Sequence, residues 1–465
     1  MSKRPPKDPL IVVLGATGTG KSQLAVELAK RFDGEIINGD AMQMYDGLPI
    51  ITNKMTLEEQ QGIPHHLLGF IALDEEPWRV GMFKQKAGQI IRGIRSRGRL
   101  PILVGGTHYY TQTLLFDETL TENLSKEKDE IQSGYTNQEM AEKYPILAGP
   151  IEDMVVRLKE VDPVMADRWH PKDRRKIRRS LEIFLTTGRK ASDIYAEQMK
   201  RKTGTKRPIL EENPDAEPLV DIDSVLLFWV YSEPEILKKR LDARIDKMMD
   251  AGLLDEVKSM DSFLQKQRGS GAVIDRSRGI WVSIGYKEFE PYLKTMNSAT
   301  ASNEDIKTSY ELSIEQTKTA TRQYARRQVR WIRSKLIPAL SDVDAHDRLY
   351  LMDGSDVSKF SDTVSQPAVK IAESFLDGTE RVVPQEVCAA AAHVLAPEDD
   401  SEEIQDPNFR QECELCHVVA VADAQWQLHL KSRRHRAMLK KKLKNERSGR
   451  FRPPLTGSAS ESDTR

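Results

Sequence analysis

A glycine-rich turn near the amino terminus restricts the fold more than any other part of this sequence. Residues 15–22 read Gly-Ala-Thr-Gly-Thr-Gly-Lys-Ser, after the apolar run Leu10–Leu14 and before helical spacing over 23–30. This order predicts a buried strand, a P-loop whose backbone N–H groups converge on an anion, and a helix whose amino end faces that anion. Lys21 adds a point charge, and Ser22 is placed to hold Mg²⁺. The turn therefore predicts a bound di- or triphosphate, which need not be a nucleotide.

Strand and helix patterns alternate through residues 10–116. The stretch 34–40 has strand character and ends in Asp40, residues 78–97 have helical spacing, and 99–106 form another apolar run that ends in glycines. Such alternation is typical of a parallel sheet with helices on both faces. The sequence therefore predicts an α/β fold built on a P-loop parallel sheet.

The rest of the chain divides by composition. Residues 117–215 are polar and helical without a strong strand pattern, and a further apolar run at 224–230 follows them, which indicates a helical insertion in the core. The expected segments are a first part of the core at 10–116, the helical insertion at 117–215, completion of the core with long helices at 216–340, a linker with an acidic run at 341–405, a zinc finger at 406–440, and a basic, then disordered tail at 441–465.

The composition excludes two classes of protein. Three cysteines among 465 residues are too few for a disulfide framework, which indicates a reducing compartment. We expect no membrane partner, because no apolar run reaches membrane-spanning length and no signal-peptide pattern precedes the first strand. The net charge of −1 gives no overall signal for a polyanionic partner.

Four residues near the carboxyl terminus have the spacing of a metal site. Cys413, Cys416, His429 and His435 fit the Cys₂His₂ pattern of a closed, structural Zn²⁺ site. We expect Trp426 and Leu428 to supply much of its apolar core. Many basic residues follow this pattern, which predicts contact with a nucleic-acid backbone, with nuclear targeting as the alternative. They are Lys431, Arg433, Arg434, Arg436, Lys440, Lys441, Lys442, Lys444, Arg447, Arg450 and Arg452.

Two common classes of P-loop enzyme do not fit. A GTPase needs an Asn-Lys-x-Asp segment, and the stretch 53–56 lacks the acid. A typical ATPase has an apolar strand that ends in Asp, whereas the strand at 102–104 continues into glycines. The strand that ends at Asp40 is the one acid-terminated candidate.

Several motifs occur in an order that resembles tRNA dimethylallyltransferases (tRNA isopentenyltransferases). They are the P-loop at 15–22, Asp-Ala-Met-Gln-Met-Tyr at 40–45, Thr-Asn-Lys at 52–54, Pro-His-His-Leu at 64–67, Val-Gly-Gly-Thr-His-Tyr-Tyr at 104–110, and downstream segments at 173–182, 240–244, 284–288 and 326–331. The resemblance covers about residues 10 to 335, and the finger is similar to that of eukaryotic members. It implies transfer of a dimethylallyl group from its pyrophosphate to N6 of the adenosine 3′ of the anticodon.

The resemblance assigns roles to individual residues. Asp40 takes the proton of the attacking amine, Thr107 contacts the reacting groups, and Arg244 contacts the pyrophosphate. The competing structural roles are a helix cap for Asp40, a turn-stabilising hydroxyl for Thr107, and ordinary surface arginines for Arg240 and Arg244. The expected pyrophosphate-binding residues are Gly15, Ala16, Thr17, Gly18, Thr19, Gly20, Lys21, Ser22 and Arg240.

An adenosine in a stacked anticodon loop must be extruded to react, so we expect cations, amides and an aromatic residue to hold the RNA. The expected tRNA-binding residues are Asp40, Ala41, Met42, Gln43, Thr107, Arg175, Lys176, Ile177, Arg178, Arg179, Arg326, Arg327, Gln328, Arg330 and Trp331. The family pattern has Gln where this chain has Arg175, which favours phosphate contact there over base reading. His108 stands where bacterial members usually have glycine.

The expected partners are the tRNA anticodon stem-loop and dimethylallyl pyrophosphate, with Mg²⁺ as the catalytic ion and Zn²⁺ as the structural ion. We expect a monomer in the cytoplasm, with nucleus and mitochondrion as further compartments that the resemblance implies. Two alternatives stay open. One is a P-loop kinase of a small metabolite or nucleotide. The other is a zinc-finger RNA-binding protein that uses a nucleotide only as a switch.

Overall fold

The computed structural model describes residues 4–116, 140, 142–203, 220–270, 274–276, 278–396, 409–416, 418–421 and 423–447. The chain forms two compact units, Met1–Glu118 with Leu210–Glu398 and Thr119–Ile209 with Asp399–Arg465. Among the residues that the structure describes, no helix is both long enough and apolar enough to cross a bilayer.

The first unit is built on a six-stranded sheet. Its strands are β1 (Leu10–Leu14), β2 (Gly34–Asn38), β3 (His65–His66), β4 (Leu100–Val104), β5 (Val225–Tyr231) and β6 (Leu349–Asp353). They pair in the order β3-β2-β4-β1-β5-β6, and every pairing is parallel. The residues of β1, β2 and β4 are buried throughout, as expected for apolar strands covered by helices on both faces. The predicted α/β parallel-sheet core is confirmed.

Helices surround this sheet and form most of the second unit. They are α1 (Lys21–Arg31), α2 (Leu57–Gln60), α3 (Val80–Ser96), α4 (His108–Leu115), α5 (Ile151–Val161), α6 (Pro163–Arg168), α7 (Arg174–Thr187), α8 (Ala191–Thr203), α9 (Pro234–Asp250), α10 (Leu253–Gly269), α11 (Tyr286–Met296), α12 (Asn303–Trp331), α13 (Ile337–Asp342), α14 (Gln366–Leu376), α15 (Ala389–Val394), α16 (Asp423–Leu430) and α17 (Arg433–Arg447). A π-type turn, Ile332–Leu336, joins α12 to α13.

Each face of the sheet has its own core. On one face, Leu28 of α1 and Phe375 of α14 pack in one cluster with Val13 of β1. On the other face, Ile91 of α3 and Phe289 of α11 pack in a second cluster. Within the segment 216–340, where long helices were expected, α9 and α10 are separate helices, because Gly252 between them has a φ of 104°.

The segment 341–405 is not the linker that the sequence predicted. It supplies β6, which pairs with β5, and α14, which packs on the sheet. The prediction was wrong because the apolar run in β6 is only four residues long and lies among charged residues, so its pattern is weak on its own. The acidic run at 397–403 lies outside the described residues.

The second unit combines α5 to α8 with the carboxy-terminal segment. Leu158 of α5, Leu181 of α7 and Ile194 of α8 are fully or almost fully buried in its core. Two short antiparallel strands, β7 (Gln411–Glu412) and β8 (Val419–Ala420), precede α16. The parts of the expected insertion at 117–139 and 204–215 lie outside the described residues, as does the end of the expected tail.

Candidate active site and metal centre

The P-loop follows β1 directly and has the backbone geometry of an anion cradle. Gly15 has a φ of 142°, and a Cβ there would lie 2.3 Å from the carbonyl oxygen of Val230. Gly20 has a φ of 97°, and a Cβ there would lie 2.5 Å from the ring of Phe360. Both positions therefore need glycine, because a side chain would be strained and would collide with its neighbours. The loop leads into α1, whose amino end has no side-chain cap, and the N–H groups of such a helix end suit a phosphate.

Lys21 and Ser22 occupy the first turn of α1. The Lys21 ammonium donates a hydrogen bond to the Ala16 carbonyl at 2.7 Å. Burial lowers the pKa of Lys21 to about 8, with the carboxylate of Asp40 opposing this effect and Arg244 adding to it. The lysine thus lies in a site that carries both signs of charge. Ser22 is half-buried beside it.

Asp40 lies two residues beyond the end of β2. Its carboxylate accepts a hydrogen bond from the Met42 backbone N–H at 3.0 Å, so it also stabilises the turn that follows. Burial raises the pKa of Asp40, and this effect outweighs the opposing influence of the Met42 hydrogen bond and the Lys21 charge. A carboxylate with a raised pKa is a better proton acceptor than an exposed one. The alternative of a helix cap was wrong, because residues 41–44 form a turn and not a helix, and the predicted chemical role is compatible with this geometry.

Thr107 ends the turn from β4 into α4 and is the N-cap residue of that helix. Its hydroxyl accepts a hydrogen bond from the Ala41 N–H at 3.0 Å, which joins this turn to the residues after Asp40. The same side chain is hydrogen-bonded to Tyr324 of α12, a residue that the sequence reasoning missed. Burial and the nearby Asp40 charge raise the pKa of the Tyr324 phenol. Its position one helical turn before Gln328 is the sequence signal that points to it.

Gln328 is buried and its amide is already engaged. Its oxygen accepts a hydrogen bond from the Thr17 N–H at 2.8 Å, and its nitrogen donates to the Gly106 carbonyl at 2.9 Å. The expectation that Gln328 contacts tRNA is therefore wrong for this geometry. The residue instead holds the P-loop against the turn that carries Thr107.

The two arginines of α9 differ in what they contact. Arg244 donates to the Thr17 hydroxyl at 2.9 Å, and burial lowers its pKa to about 10. Its buried Nε has no hydrogen-bond partner among the described residues. Arg240 instead donates to the carbonyl oxygens of Gly18, Gly354 and Ser355 at 2.9–3.2 Å. The expected pyrophosphate contact of Arg240 is not what this geometry shows, since its guanidinium braces the backbone of the loop.

His108 is the first residue of α4 and is only 4% exposed. Neither ring nitrogen has a hydrogen-bond partner within the described part of the chain. Burial, assisted by the charge of Lys21, lowers the pKa of this imidazole to about 3. His108 is therefore neutral at physiological pH.

The expected tRNA-binding residues fall into exposed and buried groups. Arg326, Arg327 and Arg330 of α12 are exposed, as are Arg175 and Lys176 of α7. Arg179 forms an ion pair with Glu182. Four other residues of this set are half-buried: Ala41, Met42, Gln43 and Arg178. The Gln43 amide donates to the Asn53 carbonyl at 3.0 Å. The prediction for Ile177 was wrong, because its side chain is 1% exposed and packs in the core of the second unit.

The four predicted metal ligands converge in the second unit. The ligand atoms of Cys413, Cys416, His429 and His435 all lie within 4.8 Å of one another. The Nδ1 atom of His435 is 3.4 Å from one cysteine sulfur and 3.6 Å from the other. Tetrahedral Zn²⁺ with ordinary bond lengths gives an S···N separation of about 3.6 Å, so these residues fit that ion.

Other parts of the finger are arranged partly as expected. Trp426 is half-buried and its ring centroid lies 5.7 Å from that of His429. The expectation for Leu428 was wrong, since this side chain is 71% exposed. Lys431 and the basic side chains of α17 that the structure describes, Arg433, Arg434, Arg436, Lys440 and Lys442, are exposed. Cys388, outside the cluster, is half-buried and contacts the Leu351 carbonyl.

Comparison with known proteins agrees with this geometry. The family model described as IPP transferase matches residues 43–335. The tRNA dimethylallyltransferase of Schizosaccharomyces pombe is 36% identical over 453 residues, which cover 93% of this chain and 95% of that protein. The chain belongs to the tRNA dimethylallyltransferase family.

Two further comparisons each cover more than nine-tenths of this chain. The human tRNA dimethylallyltransferase is 34% identical over 93% of this chain and 86% of that protein. A solved structure of a eukaryotic dimethylallyltransferase acting on tRNA superimposes with a TM-score of 0.72 at 33% identity, covering 95% of this chain and 99% of that one. The resemblance inferred from the motifs is confirmed, and the kinase alternative is not favoured.

Proposed function

We propose that this chain transfers a dimethylallyl group from dimethylallyl pyrophosphate to N6 of the adenosine immediately 3′ of the tRNA anticodon, with release of pyrophosphate. The observation that supports this proposal is the constellation around the P-loop. Lys21, Asp40, Thr107 and Arg244 belong to four different elements, and their hydrogen bonds and charges bring them into one half-buried site. This site offers cations for a leaving pyrophosphate and a carboxylate for a proton.

The donor end of the reaction uses the loop and its cations. As the C–O bond of the donor breaks, negative charge develops on the pyrophosphate, and the P-loop N–H groups, Lys21 and Arg244 stabilise it. Ser22, with its hydroxyl oxygen in the first turn of α1, is the residue that would hold Mg²⁺, which would neutralise further charge on the leaving group. Oxygen ligands of this kind suit that ion.

The acceptor end uses the carboxylate. The exocyclic amine of adenine is a weak nucleophile because its lone pair is delocalised into the ring. A hydrogen bond from this amine to Asp40 raises its nucleophilicity, and Asp40 takes the proton as the new N–C bond forms. The raised pKa of Asp40 supports this role.

Exposed cations are proposed to hold the RNA. We propose that Arg175 and Lys176 of the helical unit, Arg326, Arg327 and Arg330 of α12, and the basic residues of the finger contact tRNA phosphates. We further propose that the protein acts as a monomer, because Lys21, Asp40, Thr107 and Arg244 all come from one compact unit of a single chain.

The test supplies purified protein with dimethylallyl pyrophosphate, Mg²⁺ and unmodified tRNA, and measures release of pyrophosphate. We expect release that depends on tRNA and is lost in Lys21→Ala, while Lys30→Ala, a change on an exposed residue of the same helix, keeps it. A parallel reaction replaces the prenyl donor with ATP. Turnover of ATP without tRNA-dependent release of pyrophosphate would contradict the proposal and favour a kinase.

A further inference from the structure

Two aromatic side chains meet next to the site at the surface of the first unit. Tyr109 is 43% exposed, and its ring lies edge-on to that of Trp331 with the centroids 5.9 Å apart. Trp331 is half-buried, and its indole N–H donates to the Gln112 side chain at 3.0 Å. The hydrogen bond fixes the indole, so the pair is a preorganised aromatic surface and not two mobile side chains.

This pair is tied to the reacting groups through two helices. Tyr109 follows Thr107 by two residues at the start of α4. Trp331 lies on α12 seven residues, or about 10 Å, beyond Tyr324, which bonds to Thr107. Gln328 lies between them on the same helix face and contacts Gly106. The aromatic pair therefore lies beside the turn that carries Thr107, near the point where a base must react.

The charge around the pair indicates the partner. Arg327 and Arg330 are exposed and lie four and one residues before Trp331 on α12. Exposed aromatic rings with flanking arginines match a single-stranded nucleic acid, whose bases stack while its phosphates pair with the cations. A hydrophobic protein partner would not use these guanidinium groups.

We propose that Tyr109 and Trp331 stack on a nucleobase that neighbours the acceptor adenosine and so hold the strand while that adenosine is extruded. This inference rests on the proposed function and adds Tyr109 as a positioning residue. Stacking compensates part of the cost of unstacking the loop, and it does not depend on which base is present. Its effect therefore falls on RNA binding and not on the prenyl donor.

The first test compares Tyr109→Ala, Tyr109→Phe and Leu312→Ala, the last a control on an exposed apolar residue of α12. We expect Tyr109→Ala to raise KM for an anticodon stem-loop about ten- to hundredfold with KM for dimethylallyl pyrophosphate unchanged. Tyr109→Phe keeps the ring and should restore the wild-type value. An unchanged RNA KM in Tyr109→Ala, or a failure of Phe to restore it, would overturn the proposal.

A second test is independent of turnover. A stem-loop with 2-aminopurine next to the acceptor adenosine reports stacking through its fluorescence. We expect quenching on binding to the wild-type protein and to Tyr109→Phe, and a much smaller change with Tyr109→Ala at saturating protein. Equal quenching by all three proteins would contradict stacking on Tyr109 even where prenyl transfer proceeds. Quenching without any prenyl transfer would instead count against the proposed function alone.

Discussion

The side-chain oxygen of Gln328 accepts a hydrogen bond from the backbone N–H of Thr17 at 2.8 Å, across 311 positions of sequence. The amide nitrogen of the same residue donates to the Gly106 carbonyl. One buried amide therefore fixes the distance between the loop proposed to hold the pyrophosphate and the turn that carries Thr107. This contact sets where the two reacting groups meet.

Gln328→Leu tests this contact. The variant leaves a backbone N–H and a carbonyl without their partner, which costs about 1–3 kcal/mol for each group that stays buried. We expect a lower free energy of unfolding in urea and a kcat that falls more than tenfold, because small displacements of reacting groups are costly. Gln323→Leu changes an exposed glutamine of the same helix and should leave both values close to wild type. Equal behaviour of the two variants would contradict the proposed role.

Asp40→Asn tests the proton acceptor. Asparagine keeps an oxygen that can accept the Met42 N–H, so the turn should persist, but a neutral amide cannot take the proton. We expect kcat to fall about 10²- to 10⁴-fold while the dissociation constant for tRNA stays within about twofold. Single-turnover prenyl transfer and a filter-binding titration give the two quantities. Full activity in this variant would remove Asp40 from the role of base.

His108 predicts a pH dependence of stability. Its pKa is about 3 in the folded protein, below its ordinary value of 6.5, so the unfolded chain takes up a proton that the folded chain does not. The free energy of unfolding should therefore fall as the pH drops from about 6.5 toward 3, by about 2 kcal/mol at pH 5 from this residue.

Urea unfolding at pH 7 and pH 5 measures that loss. In His108→Asn the loss should shrink by about the same 2 kcal/mol. His393→Asn alters an exposed histidine and is the matched control. An identical loss in wild type and His108→Asn would contradict the assignment of a buried neutral imidazole.

The finger predicts a separable contribution to RNA affinity. Deletion of 406–465 should weaken tRNA binding. It should also make the slope of the logarithm of the tRNA binding constant against the logarithm of salt concentration less steep, because fewer phosphates are neutralised. Pyrophosphate binding should not change, since the metal cluster lies outside the unit that holds the P-loop. Cys416→Ser should remove the bound Zn²⁺ and reproduce part of the loss. An unchanged salt slope would favour nuclear targeting as the function of the basic residues.

Local sequence pattern was sufficient for the features that a few adjacent residues determine. The P-loop, the acid after β2 and the Cys₂His₂ cluster are such features, because turn chemistry and ligand spacing are local. Tyr324 was missed, and Gln328 was assigned to tRNA, because their partners at Thr107 and Thr17 are distant in sequence. Only the packing of α12 against α9 and the P-loop, where Ala325 joins a buried cluster with Ala16 and Leu241, brings these residues together.

The remaining errors have a similar cause. The β6 strand was read as part of a linker because its apolar run is short, and it becomes a strand only by pairing with β5. The contacts of a side chain also depend on which face of a helix it occupies, and a motif alone does not show that face. Within the basic motif of α7, Ile177 points into the core while Arg175 and Lys176 remain exposed.

We propose above that the P-loop of this chain holds a prenyl pyrophosphate for transfer to an adenosine. The most direct measurement is nucleoside mass spectrometry of unmodified tRNA after incubation with the protein, Mg²⁺ and dimethylallyl pyrophosphate. We expect the adenosine 3′ of the anticodon to gain one dimethylallyl group on N6, and we expect replacement of this adenosine with guanosine to abolish the gain. No gain on that adenosine, or an equal gain in the substituted tRNA, would contradict the account.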